Sequence, residues 1–532
     1  MEKVGQHVAF LILGPYLLAV LVIGFFFRRR ATANSSAFLH AQGALPVAIS
    51  SIAFIAANCG AIEIVGMVAA SAKYGMAALH FYWIGAIPAM IFLALFMLPI
   101  YRYSRAVTVP DFLRLRYNNA THILSASCQA AMMALVSGIG LYAISFVLHL
   151  FFGWDFFRLM LIVSSVVLCY ILFGGLRATL YNEVLQFAVT IAGLLPLTVK
   201  VLHDFHGING IRERLPVALD HLWLTLSVYQ PHTAALDVTG VVFGLGVVLS
   251  FGYWCTDFLL IQRALTARGA QGALRTPLIA AVFKLCFPAL LVIPGLAAAT
   301  LFGPKDMPRY DQALPLLLRH YYGPALLGLG LSAIVSSLMS GLAGNISALS
   351  ALWTHDLYRT YFRPGLSDRH YLWMGRFSAL VAVLLSLSAA LIALRFDNLM
   401  DYLMLVFSLF NAPLFAAFLC GMFTRWATPA AGFCGLLTGV SVALAHNITV
   451  HAHAIVYGSD LLASFYGAIY AFSACLLTII VVSRFTERKG LEALAGLTYY
   501  TTPRDSNAVT PGILVFAGCL LSACILLNVI FR

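Results

Sequence analysis

The sequence predicts an all-α, polytopic membrane protein built as one domain. Three observations carry this reading. Of 532 residues, 61% are hydrophobic and only 10% charged, whereas a soluble domain carries about 25% charged residues. Apolar runs long enough to cross a bilayer, roughly twenty residues each, recur along the chain about fourteen times. Two of these runs are interrupted at their midpoints by small and ionisable residues.

The first run covers residues 7–27 and is followed by Arg28, Arg29 and Arg30. It is too long for a signal-peptide core and its positive cluster follows the run, so it reads as a spanning helix ending in the cytoplasm. Starting from that end, the predicted cytoplasmic loops hold Arg102, Arg105, Arg114 and Arg116, then Arg263, Arg268 and Arg275. Further along they hold Arg359, Arg363 and Arg369, then Arg484, Arg488, Lys489 and Arg504. Outer loops hold fewer basic residues, such as Lys200, Arg212, Arg214, Lys305 and Arg309. This bias places both termini outside the cytoplasm. The net charge of +12 is a topology signal on this pattern. No basic patch with interleaved aromatics points to nucleic acid. Ten cysteines lie mostly in apolar runs without metal spacing and read as small buried hydrophobes.

The first interrupted run is Leu45 to Gly75. Asn58, Cys59 and Gly60 break its middle and Glu63 follows. A carboxylate at that depth costs about 2.5–3.5 kcal/mol on insertion scales, so it needs a partner, a cavity or a task. The second interrupted run, residues 236–263, carries Gly252 and Asp257. Paired broken helices in two halves mark inverted repeats around a midplane site in secondary transporters. Between the runs, VTVPDFLRLRYN reads as a short amphipathic interfacial helix started by Pro110 and Asp111. Residues 202–235 contain a helical HGINGIRERL segment, and residues 304–322 read as a short helix over the outer mouth.

Six segments in register resemble motifs of the sodium:solute symporter family. They are AANCGAIEIVG (56–66), PDFLRLRY (110–117), GGLRATLYNEVLQ (174–186), YWCTDFLLIQR (253–263), SAIVSSLMSGLAGNISALSALWTHDLYR (332–359) and MDYLMLVFSLFNAPLFAAFLCGMFTR (400–425). The family includes sugar, inositol, proline, pantothenate and sialic acid cotransporters. The resemblance implies a leucine-transporter-like fold of two inverted five-helix repeats. Repeat one would be 45–201 and repeat two 236–424, with one helix before and three more over 427–531.

It also implies the site. Sodium would be held by the carbonyls of Ala56 and Cys59 on the first core helix, with Ala333, Ser336 and Ser337 on the eighth. The bland alternative is that these serines only pack and bond their own helix. A second sodium would use Glu183 and Ser340, although Glu replaces the usual Asp and Met339 stands where a hydroxyl is expected. The alternative is that Glu183 is salt-bridged, Arg177 being the nearest candidate, which leaves one sodium ion. Solute contacts would come from Asn58, Glu63, His80, Tyr82, Trp83, Asp257, Phe258, Lys284 and Met404. Lys284 sits in a continuous apolar run and needs a carboxylate, either Asp257 or Glu63. Tyr82, Gly85 and Met404 depart from the sugar-binding pattern, so a common monosaccharide is in doubt.

The expected function is Na+-coupled import of a small polar organic solute by alternating access. The rivals are proton coupling through Glu183 or Glu63 and, in another class, a membrane enzyme. No nucleophile motif, metal triad or nucleotide loop supports the enzyme. His446, His451 and His453 have a spacing that fits no helical metal site, and His355 with Asp356 reads as structural.

Overall fold

The computed structural model describes residues 45–223 and 236–531, apart from positions 61, 105, 304, 397 and 504–508, and most of residues 12–22. The predicted first helix, with Arg28 to Arg30, lies largely outside the described residues. Its described part is helical over 14–20 and buries Tyr16 and Val20.

The first interrupted run forms α1 (Val47–Asn58) and α2 (Glu63–Leu79), bent by 61°. Then come α3 (Phe81–Ser104), the short α4 (Val109–Arg116) and the long α5 (Asn119–Phe152). Thr108 is the N-cap of α4, accepting from Asp111 N at 3.1 Å, so the helix starts one residue before the predicted Pro110. It does not float on the lipid surface. Phe112, Leu113 and Arg116 are buried, and Arg116 donates to the carbonyls of Gly421, Thr424 and Ala427.

Helical backbone then runs from Phe156 to Asp204, 49 residues. Straight, its ends would lie about 72 Å apart. Instead Arg319 donates to Leu150 O, and Tyr321, two residues on, donates to Asp204 at 2.6 Å. Leu150, six residues before the segment's start, and Asp204, at its end, therefore both lie near α11, which a straight helix of this length would not allow. The segment provides α6 (Phe156–Cys169) and α7 (Thr179–Asp204).

The second interrupted run forms α8 (Gly240–Thr256) and α9 (Phe258–Leu265), bent by 52°. The order then repeats: α10 (Gly269–Leu301), the short α11 (Ala313–Tyr321), α12 (Pro324–Phe362), α13 (Asp368–Ala393) and α14 (Leu399–Phe423). Three helices follow, α15 (Pro429–His451), α16 (Asp460–Phe485) and α17 (Pro511–Ile530). Among the described residues ten helices are long and apolar enough to span, twelve with the bent pairs. The predicted fourteen is not reached among the described residues, because the first helix is mostly outside them and α6 is short.

Contacts give the sense of each break. Leu45, just before α1, bridges to Ala267, just after α9, while Lys73 near the end of α2 pairs with Asp401 at the start of α14. The first broken helix thus runs from the α4 face to the α11 face and the second runs back. This is the antiparallel relation of inverted repeats. Close packing needs glycine where helices touch: a Cβ on Gly295 of α10 would lie 1.9 Å from Ser71 Oγ and 2.5 Å from Val68 O of α2. Gly295→Ala is expected to cost about 1–3 kcal/mol through overpacking, read as a lower unfolding temperature in detergent. An unchanged temperature would mean that α2 and α10 do not meet this closely.

Candidate cation and solute site

A helix broken in the membrane leaves carbonyls that no water can satisfy, and each must find another partner. The two breaks solve this differently. At the second, Tyr101 of α3 donates to Cys255 O at 3.2 Å and Gln129 of α5 donates to Thr256 O at 3.1 Å. Asp257 caps the resumed helix, accepting from Leu259 N at 2.8 Å. Gln129 was invisible to sequence reasoning, since only the fold brings α5 beneath the break.

At the first break the partners are hydroxyls of α12. Ser337 donates to Cys59 O and lies 3.4 Å from Gly60 O. Ser340 donates to Ala56 O at 3.2 Å. The approach requires small residues, because a Cβ on Gly60 would come 3.2 Å from the Cα of Gly341. The predicted cation set is therefore divided. Ala56, Cys59 and Ser337 converge, and Ser340 joins them. Ser336 turns to α7, 3.2 Å from Thr190 Oγ1 and 3.4 Å from Gln186 O, while bonding Ala333 O on its own helix at 2.8 Å.

Glu183 is not beside Ser340's hydrogen bond. Its Oε1 pairs with Arg263 Nη2 at 2.7 Å, both side chains fully buried. The carboxylate of the predicted second cation pair is thus taken up by the arginine of α9, while Ser340 bonds Ala56 O. The side chain of Arg177, its other expected partner, lies outside the described residues.

Between the breaks is a cavity of about 100 Å³, several times what one water needs. Asn58, Glu63, Tyr82, Asp257, Lys284 and Met404 line it, as expected. Lys284 Nζ pairs with Glu63 Oε1 at 2.6 Å and is surrounded by the rings of Tyr82, Phe287 and Trp254 at 5.1, 5.3 and 5.5 Å. Asn58 Nδ2 donates to Tyr253 Oη at 2.9 Å, joining the two breaks. Three expected solute contacts lie elsewhere. His80 bonds Leu222 O at 2.8 Å and packs on Trp223. Trp83 turns toward Phe531 and α17. Phe258 is buried in the core off the cavity wall. In each case the helical turn that brings Tyr82 and Asp257 inward carries its neighbour away.

Polar contacts join helices on both faces of the bundle. On the α11 face, Asp401 accepts from Lys73 at 2.6 Å and from Tyr74 at 2.9 Å. On the α4 face, Ser50 bonds Thr266 at 2.9 Å, and Thr108 donates to the buried Asp356 at 2.7 Å. His122, which the sequence did not single out, stands 3.5 Å from Asp356 and bonds Tyr361. His451 and His453 are exposed, and no group of metal-ligating side chains occurs among the described residues.

Two inverted broken helices with a cavity between their breaks define an integral, multi-pass secondary transporter. The chain belongs to the sodium:solute symporter family, whose model matches residues 38–439. It is thus a sodium-coupled carrier of small solutes and not an enzyme. A sodium/mannose cotransporter of Bos taurus is 29% identical over 406 residues, 70% of this chain and 67% of that protein. Sodium/glucose cotransporter 1 of Sus scrofa is 26% identical, covering 81% and 72%. In fold, the chain is similar to a substrate-bound, outward-open Na+-coupled sialic acid symporter. The TM-score is 0.77 at 17% identity, over 91% of this chain and 99% of that one.

Lys284 and Glu63 provide a test of the cavity's charge. Lys284→Met alone leaves a buried, unpaired carboxylate and is expected to destabilise by about 3–5 kcal/mol. The double change with Glu63→Leu is expected to recover most of that loss in unfolding temperature. Equal destabilisation by single and double variants would show that the two groups do not pair.

Proposed function

We propose that one sodium ion binds at the first break, held by the carbonyls of Ala56 and Cys59 and the hydroxyls of Ser337 and Ser340. The support is that these oxygens converge there without a carboxylate, a neutral oxygen cage suited to a small hard cation. Cation arrival turns each hydroxyl from donor to acceptor, so the contacts that now hold the break shut become coordination. Ala333 and Ser336 complete the shell if Ser336 turns from Thr190. The Glu183–Arg263 pair argues against a second cation and against a proton on Glu183, and the Lys284 pairing argues against a proton on Glu63.

The solute is a small polar organic molecule in the cavity beside that ion. The relatives' names include mannose, glucose and myo-inositol, which sets the size range. Sodium draws the first break against α12 and preorganises Asn58 and Glu63. Ion and solute then raise each other's affinity reciprocally. Transport proceeds by exchange of the two closures, Lys73–Asp401 on one face and Ser50–Thr266 on the other. The α4 face, rich in arginine, is the cytoplasmic side by the positive-inside rule, with both termini outside. The inverted repeats are 45–201 and 236–424, with three added helices over 427–531. Each charge moved through 100 mV contributes about 2.3 kcal/mol to accumulation.

In proteoliposomes, uptake should require an inward sodium gradient and persist when the pH gradient is collapsed. Ser337→Ala and Ser340→Ala should raise the sodium concentration for half-maximal uptake several-fold, and Ser336→Ala should raise it less. Uptake in potassium driven by a pH gradient would instead select proton coupling. Unchanged sodium dependence in both the Ser337 and Ser340 variants would remove the proposed ion site.

A further inference from the structure

The helix that precedes α1 stands outside the two repeats, yet it reaches the seam behind the ion site. Asn182 Nδ2 of α7 donates to Val20 O at 3.3 Å. One turn before Val20, Tyr16 lies beside Gln186, one turn beyond Asn182 on α7, and beside Ser336 of α12. The two helices therefore run antiparallel, which sets the Tyr16 phenol level with that serine. Tyr16 is 8% exposed. Its hydroxyl is buried with no hydrogen-bond partner among the described residues, and so is Gln186 Nε2. Unpaired polar atoms at this depth are costly, and two of them behind one serine call for a reason.

Ser336 supplies it. Its single hydrogen now goes to Ala333 O at 2.8 Å. In the ion site proposed above, Ser336 and Ala333 both complete the shell. A hydroxyl that coordinates a cation turns its oxygen to the ion and its hydrogen away, and a carbonyl bound to the same ion no longer faces that hydrogen. The serine then needs another acceptor. Gln186 O is 3.4 Å away but already takes the Thr190 hydroxyl at 2.8 Å. Thr190 Oγ1, at 3.2 Å, is the contact Ser336 leaves when it turns. The phenol oxygen of Tyr16, which can accept as well as donate, is the neutral group left beside it. We propose that Tyr16 is a positioning residue for the coupling ion, its hydroxyl accepting the Ser336 hydrogen when Ser336 and Ala333 turn to the cation. This rests on Ser336 joining the ion shell. It goes further in giving the helix outside the repeats a part in ion binding.

The test is a sodium titration of the unfolding temperature of purified full-length protein, with potassium holding the ionic strength and no solute present. The variants are Tyr16→Phe, Ser336→Ala and the two combined. Phe keeps the ring, so Tyr16→Phe should retain the native gel-filtration profile. Its half-maximal sodium concentration should rise about two- to fivefold, the worth of one hydrogen bond, and no more than in Ser336→Ala. Added to Ser336→Ala, Tyr16→Phe should change the sodium midpoint no further, because groups that act through one another do not add. A purely structural tyrosine would shift the unfolding temperature equally in both salts and leave the midpoint unmoved, which overturns the proposal. So does a Tyr16→Phe effect that multiplies with that of Ser336→Ala. A raised midpoint in Ser336→Ala with an unchanged one in Tyr16→Phe refutes the role of Tyr16 alone. The parent's midpoint in Ser336→Ala removes Ser336 from the shell and this proposal with it.

Discussion

Everything at the centre of this molecule follows from the demand that main-chain carbonyls freed inside a bilayer find partners. The second break is sealed by a phenol from α3 and an amide from α5. The first is sealed by two hydroxyls. A hydroxyl can donate to a carbonyl in one state and offer the same oxygen to a cation in the next. That difference in partners sets the two breaks apart: an amide and a phenol at the second, two hydroxyls at the first.

Charge is handled by the same economy. The described membrane interior contains three close pairs, Glu183–Arg263, Glu63–Lys284 and Lys73–Asp401. They differ in setting. The first is wholly buried between α7 and α9 and ties the two repeats together. The second borders the cavity, where a solute can reach it. The third joins α2 to α14 on the α11 face, and its lysine is 23% exposed, within reach of water. Because a buried pair broken on one side is expensive, the pair nearest water is the one that costs least to separate.

Much of this was legible in the linear chain. The breaks at Asn58–Gly60 and at Asp257 stood out because small and ionisable residues are costly in an apolar run without a reason, whereas Gly252, read with them, lies inside α8 where it packs against Asn411. Lys284 announced its need for a carboxylate in the same way. Which carboxylate could not be read: Asp257 and Glu63 lie 27 and 221 residues away in sequence, and only packing brought Glu63 within reach. Helical phase was likewise beyond sequence reasoning at one-residue precision. Tyr82 enters the cavity while its neighbour Trp83 faces α17, and Ser337 meets the break while Ser336 meets α7.

By itself the sequence determined that the chain spans a membrane many times, where its two spanning helices fail, and which residue types gather at those failures. Hydropathy and the cost of isolated polar groups are local properties, and a linear chain displays them. Tertiary structure alone decided the partners: Arg263 for Glu183, Glu63 for Lys284, Ser340 for Ala56, and Gln129 beneath the second break. Those choices depend on distances and helix rotations between segments far apart in sequence. Close glycine contacts such as Gly60 on Gly341 set them, and nothing in a single helix records them.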